Sequence, residues 1–191
     1  MQLVPLHESH IKALVPIAAD PFIWRYLLED GSSQERLFQY IQTALDQRNA
    51  GVEYPFMIYD KIQKRPVGTT RIYELNAALQ TTKIGHTWYG AAYRGSGVNA
   101  RVKYLLFEYL FDSLGMMRVG FGVHELNQRS IAGLLKLGIK KEGLLREFLP
   151  NLTSEGNKNR CDIVLFSVLK KEWEKEVKGR LTTLIAKPIA L

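Results

Sequence analysis

The stretch Tyr93-Arg94-Gly95-Ser96-Gly97-Val98-Asn99 concentrates the most suggestive chemistry in the chain. Its two glycines permit a tight turn. It also runs straight into the most regular helical pattern of the sequence, so unpaired N–H groups and the positive end of a helix dipole would converge on one point. Such a point suits a phosphate or pyrophosphate. A turn of this kind also arises simply to join two elements, and this one lacks both the Gly-Lys-Ser/Thr ending of a P-loop and a complete G-x-G-x-x-G. Kinase-type and dinucleotide-fold chemistry are therefore set aside.

Proton-handling side chains lie on either side of the turn. His86 falls in a strand-like run just before it, and histidine is the side chain suited to taking a proton near neutral pH. The same residue type serves equally as a satisfied core or edge group. His124 follows the next strand-like run, and the spacing does not rank the two histidines. The four histidines are dispersed and no Cys/His cluster has ligand spacing, which gives no support to a metal site. The lone Cys161 reads as a buried strand residue without the setting of a nucleophile. Trp24, Tyr26, Tyr73, Trp88 and Tyr93 are candidates for an acceptor pocket, with core packing as the simpler use of the same residues.

The elements that must hold these groups follow from periodicity. Residues 1–6 read as an opening strand, and 8–29 as short helices divided at Pro16 and Pro21. Ser32 with Glu35 forms a capping-box pattern before a helix carrying Leu37, Ile41 and Leu45 and ending near Gly51. Strands are expected at 53–60, 66–75 and 81–89, the last with Ile84, His86 and Trp88 on one face. A helix over 97–114 stops at Gly115, a strand follows at 117–123, and Asn127 is an N-cap for a helix ending at Gly138. Strands at 139–149 and 160–169 and a polar helix at 170–178 complete a single domain, 1–178. The tail 179–191, apolar and containing Pro188, has no assigned role.

Composition narrows the field further. A chain of 191 residues with 46% hydrophobic and 24% charged residues has the make-up of one soluble globular domain. One cysteine, no secretory-type N-terminus and no apolar run near the roughly 20 residues of a spanning helix predict a cytoplasmic protein outside the membrane. On that expectation the sequon Asn151-Leu152-Thr153 carries no meaning. A net charge of +7 attracts anions generally, but the cations are scattered in ones and twos, which argues against nucleic acid as the partner.

With these motifs in place, the sequence resembles the GNAT N-acetyltransferases, especially the RimJ/RimL-type branch that acetylates ribosomal-protein N-termini. The family's coenzyme A loop, Gln/Arg-x-x-Gly-x-Gly/Ala, matches Arg94-Gly95-Ser96-Gly97-Val98-Asn99, with Asn99 in the final place as is common in that branch. The likeness continues through Gly85-His86-Thr87-Trp88-Tyr89, Asn127-Gln128-Arg129-Ser130, Leu137-Gly138 and Glu142-Gly143-Leu144-Leu145-Arg146.

The resemblance implies an α+β domain with a mixed, mostly antiparallel, splayed sheet flanked by helices. It implies acetyl-coenzyme A as co-substrate, with the pantetheine arm against the strand that ends at Trp88 and Tyr89, and the phosphates on residues 94–99. Acetyl would pass by direct attack in a ternary complex to a primary amine, either a protein N-terminus such as that of a ribosomal protein or a small molecule. Asn127 and Ser130 would join the coenzyme site, and Ser130 matches the position proposed to protonate the leaving thiolate. Each also reads as an ordinary cap or first-turn residue. Leu149 stands where some relatives carry a catalytic glutamate; Glu147, two residues earlier on the same strand, is a substitute candidate, as is His86. Family members are often homodimers. The competing expectations are a non-catalytic coenzyme A-binding sensor, prompted by Leu149, and a basic nucleic-acid or ribosome-binding module.

Overall fold

A computed structural model describes residues 1–150 and 160–189. The sequon at 151–153 lies outside the described residues. The strands are β1 (Gln2–Pro5), β2 (Glu53–Asp60), β3 (Arg65–Asn76), β4 (Thr81–Tyr89), β5 (Arg118–His124), β6 (Lys140–Pro150) and β7 (Arg160–Leu169). They form one sheet in the order β1-β2-β3-β4-β5-β7-β6. Every neighbouring pair is antiparallel except β4 with β5, which is parallel. The expected α+β class and mostly antiparallel sheet are thus observed.

Helices α1 (Ile11–Ala18) and α2 (Gln34–Asn49) cover one face of the sheet, where Leu14, Leu37, Tyr40 and Ile41 pack with Met57 and Trp88. Helix α3 (Val98–Phe107) covers the other face, packing Val102, Leu106 and Phe107 against Ile72, Ile84 and Phe121. A π-helical turn, Glu108–Ser113, prolongs α3 to the left-handed Gly115, where the helix was expected to stop. Helix α4 (Gln128–Lys136) starts on the Asn127 cap, whose Oδ1 accepts from the Ser130 N–H at 3.0 Å.

Four local expectations are corrected. The cap of α2 is Ser33, which accepts from the Arg36 N–H, while Ser32 donates its own N–H to Asp30. Pro16 sits inside α1, so only Pro21 marks a break. Ile84 and Trp88 do not share a face, because β4 carries one extra residue between Thr69↔Trp88 and Arg71↔Gly85. His86 occupies this bulge with φ +48°, and the parity of the strand inverts across it.

The fourth correction concerns the end of the chain. The helix expected to finish at 178 continues: Lys170–Glu172 (α5), a π-helical turn Trp173–Val177 and Lys178–Ile185 (α6) follow without a break. Trp173, Val177 and Leu181 are fully buried, with Leu181 in the same core as α3. Residues 179–185 are thus part of the domain, because a 3.6-residue repeat continues through the stretch that composition alone marks as a tail. Among the described residues no helix is long and apolar enough to cross a membrane. Leu181→Ala should cost about 2–5 kcal/mol of unfolding free energy. Urea denaturation followed by circular dichroism checks this; a cost near zero would mean that α6 is dispensable to the core.

Candidate active site

Strands β4 and β5 pair only over Thr81↔Arg118, Thr82↔Val119 and Lys83↔Gly120. Beyond Lys83 they part, and a cleft of about 820 Å³ opens between them. Residues 85–89 of β4 form one wall and 121–124 of β5 the other. The 94–99 turn and the first residues of α4 close one end. The inner edge of β4 therefore offers backbone hydrogen-bonding groups to whatever extended ligand enters.

At the turn, Gly95 and Gly97 have φ of +79° and +91°, the left-handed region that favours glycine. Gly97 directly precedes α3 and makes no side-chain cap, so the first N–H groups of the helix face the cleft end unclaimed by a cap. Several bonds set the loop's shape. Arg94 donates Nε–H to the Tyr89 carbonyl at 2.9 Å and pairs with Asp20 at 2.6 Å. Ser96 Oγ donates to the Tyr93 carbonyl at 2.8 Å, and Tyr89 donates its hydroxyl to Asn99 Oδ1 at 3.1 Å. Burial, then the charge of Arg94, lowers the pKa of Arg129, as expected where cations crowd one mouth.

The histidines take different positions. His86 lines the cleft, and its Nδ1 lies 3.2 Å from Glu29 Oε2. Burial alone would raise the Glu29 carboxyl, but contact with His86 and the charge of Arg71 outweigh it and hold the pKa below the usual carboxylate range. Arg71 is 2% exposed, 3.0 Å from Glu53 and 4.0 Å from Glu29, and its guanidinium lies 4.2 Å from the Tyr40 ring centroid. His124 is buried at the cleft wall, with Nδ1 accepting the Leu126 N–H at 3.1 Å. Its Nε2 has no hydrogen-bond partner among the described residues.

Of the residues singled out in the sequence, His86, Trp88, Tyr89, Arg94, Gly95, Ser96, Gly97, Val98, Asn99, Asn127 and Ser130 all line this one cleft. Glu147 does not. It sits exposed on β6 with φ +47°, where the pairing register shifts between Leu145 and Leu149, and its N–H donates to Asp162 at 2.7 Å. The shift breaks the alternation that aligned Glu147 with Leu149. Tyr73 meets the His86 ring edge-on at 5.7 Å from behind; burial, then Glu74 and Glu53, pushes its hydroxyl up to about 12. No group of three or more His, Cys, Asp or Glu among the described residues is arranged to hold a metal.

Glu29, Arg71 and Lys103 were missed in the sequence. Glu29 and Arg71 had no local signal, since their partners are distant in the chain. Lys103 had one: it falls with Val102, Leu106 and Phe107 on the buried face of α3. Its side chain is 3% exposed yet borders the cleft, with Nζ 3.3 Å from Thr87 Oγ1 and 5.3 Å from the Phe121 ring centroid.

The Acetyltransferase (GNAT) domain family matches residues 1–140, and the chain belongs to this family. It is 32% identical over 126 residues to the uncharacterized N-acetyltransferase YoaA of Bacillus subtilis, covering 65% of this chain and 70% of that one. The "Probable N-acetyltransferase YjcK" of Bacillus subtilis is 33% identical over 96 residues, half of this chain, and the match spans 52% of YjcK's length. Among solved structures, Mycobacterium smegmatis RimJ in complex with CoA-disulfide shares the fold, with a TM-score of 0.78 and 20% identity over 95% of this chain and 87% of that one.

Burial pushes the pKa of Lys103 from 10.5 down to about 7. A lysine whose pKa is depressed on folding destabilises the native state most where both states are charged, below about pH 7. The penalty fades as pH rises from 7 towards 10.5. Lys103→Met should therefore stabilise the ligand-free protein, by up to a few kcal/mol below pH 7 and by less above pH 10. Denaturant melts across pH check this, and a gain that grows with pH would contradict it.

Proposed function

We propose that the protein is an N-acetyltransferase that moves acetyl from acetyl-coenzyme A to a primary amine. The observation that supports this best is the parting of β4 from β5 beside a glycine turn at the start of α3. An extended amide arm has an unpaired strand edge to lie along, and a pyrophosphate has helix N–H groups and a cationic mouth to meet. The residues present fit coenzyme A on both counts, and RimJ, bound to CoA-disulfide, has the same fold.

Acetyl-coenzyme A would supply an activated acyl group on a good leaving thiolate. The chain's own residues have three tasks. Backbone N–H groups on the open edge of β4, near Trp88 and Tyr89, stabilise the oxygen on which negative charge develops. His86 accepts the proton that the incoming ammonium must lose, with the Glu29 carboxylate 3.2 Å from Nδ1 to favour the imidazolium that results. Ser130, at the first turn of α4, passes a proton to the departing thiolate and takes up the second proton shed by the attacking nitrogen, which restores its hydroxyl. Direct transfer needs no covalent intermediate, in keeping with Cys161 being buried beneath Pro150 on β7.

The acceptor is a primary amine, with a protein N-terminus, such as that of a ribosomal protein, placed ahead of a small amine. The charge of Glu29, beside His86, favours an approaching cation in either case. Calorimetric titration of acetyl-coenzyme A should give micromolar affinity, weakened about 100-fold in Gly97→Asp, whose carboxylate would oppose the pyrophosphate. Absence of binding to the wild type would overturn the proposal and bring forward a nucleic-acid module, recognised by steep salt dependence. Binding without turnover on peptide N-termini, polyamines, amino acids or aminosugars would favour a coenzyme sensor.

His86→Gln should lower kcat about 10²–10³-fold with acetyl-coenzyme A affinity unchanged, and Glu29→Gln should lower it about tenfold. Steady-state kinetics with direct detection of the released thiol reads both. Unchanged turnover in His86→Gln would remove that residue from the reaction.

A further inference from the structure

Lys103 combines deep burial with donors left over. Its ammonium has three N–H groups. Among the described residues its hydrogen bonding is a single 3.3 Å contact to Thr87 Oγ1. That oxygen is already shared, lying 2.7 Å from Thr70 Oγ1 and donating to the Gly85 carbonyl at 3.2 Å. Two other cations of this region have carboxylates beside them: Arg71 pairs with Glu53 and Arg94 with Asp20. Among the described residues Lys103 has no such carboxylate, only the face of Phe121. A buried amine so poorly matched costs stability, and a methionine would fill the same space without that cost.

Its location gives the cost a use. Thr87 belongs to β4 and Phe121 to β5, and both lie beyond Lys83↔Gly120, where the strands have separated. Lys103 therefore spans the gap from beneath. Its ammonium is directed at Thr87 on β4 and the Phe121 ring on β5, and among the described residues it makes no hydrogen bond to the first turn of α3. What passes over it is the middle of the cleft, where an extended arm would run.

We propose that Lys103 binds the amide arm of the coenzyme, its ammonium donating to an amide carbonyl oxygen held between β4 and β5. This rests on coenzyme A as the cleft's ligand. The lysine reads the pantetheine portion, whereas the 94–99 turn reads the phosphates, so the two contributions separate by ligand fragment.

The test is calorimetric titration of coenzyme A and of 3′-phosphoadenosine 5′-diphosphate, which lacks the arm, into the wild type, Lys103→Met and Lys103→Gln. Lys103→Met should bind coenzyme A at least tenfold more weakly and the fragment within twofold of the wild type. Lys103→Gln, with a shorter neutral donor, should fall between. Melting curves without ligand verify each fold, and Lys103→Gln carries the comparison if the apolar variant fails to fold. Equal coenzyme A affinity in the variants, or equal loss of both ligands, would overturn the assignment of Lys103. Failure of the wild type to bind coenzyme A at all would instead overturn the coenzyme reading itself.

Discussion

The whole arrangement depends on one limited strand pairing. β4 and β5 hold together for three residue pairs and then diverge, and each can do so because its outer edge is secured elsewhere. β5 pairs with β7 along its full length, from Arg118↔Leu169 to His124↔Ile163, and β4 is held by β3. The hydrogen bonds forgone on the inner edges are those a ligand can replace. Two cores, one beneath α1 and α2 and the other beneath α3 and α6, keep the two halves from collapsing into the gap.

Charge in the cleft is arranged on the same plan. The phosphate end is rich in arginine, with Arg94 fixed by Asp20 and Arg129 close by. Outside the cleft lining, behind His86, Arg71 is buried where Glu53, Glu29 and the Tyr40 ring make that tolerable. Arg71 thereby sets the position of Glu29, and Glu29 that of His86. The bulge that gives His86 its positive φ meets this cluster through Glu29, so the backbone distortion and the charged groups fall at one place.

Much of this was legible in the sequence, for identifiable reasons. The 94–99 turn, Asn127 and Ser130 were visible because caps and glycine turns are local, with cause and effect a few residues apart. Strand alternation located β4 but misassigned its faces, since a one-residue bulge leaves no mark in composition. The same limitation misled the reading of Glu147, which shares a strand with Leu149 but not an unbroken register. Glu29 and Arg71 depend on contacts between segments far apart in the chain. Lys103 alone among the missed residues could have been found, as a charge interrupting the apolar face of α3.

The placement of the tryptophans has a spectroscopic consequence. The chain has three. Trp88 lines the cleft, with its indole N–H lacking a hydrogen-bond partner among the described residues, and Trp24 lies 5.7 Å from it. Trp173 is remote from that pair, stacked on Phe111 in the second core and bonded to Asp112 at 2.9 Å. Intrinsic emission thus divides into a site-side pair, close enough to exchange excitation, and an isolated reference. Filling of the cleft perturbs the first and spares the second, so the native chain carries its own optical reporter of occupancy with an internal standard.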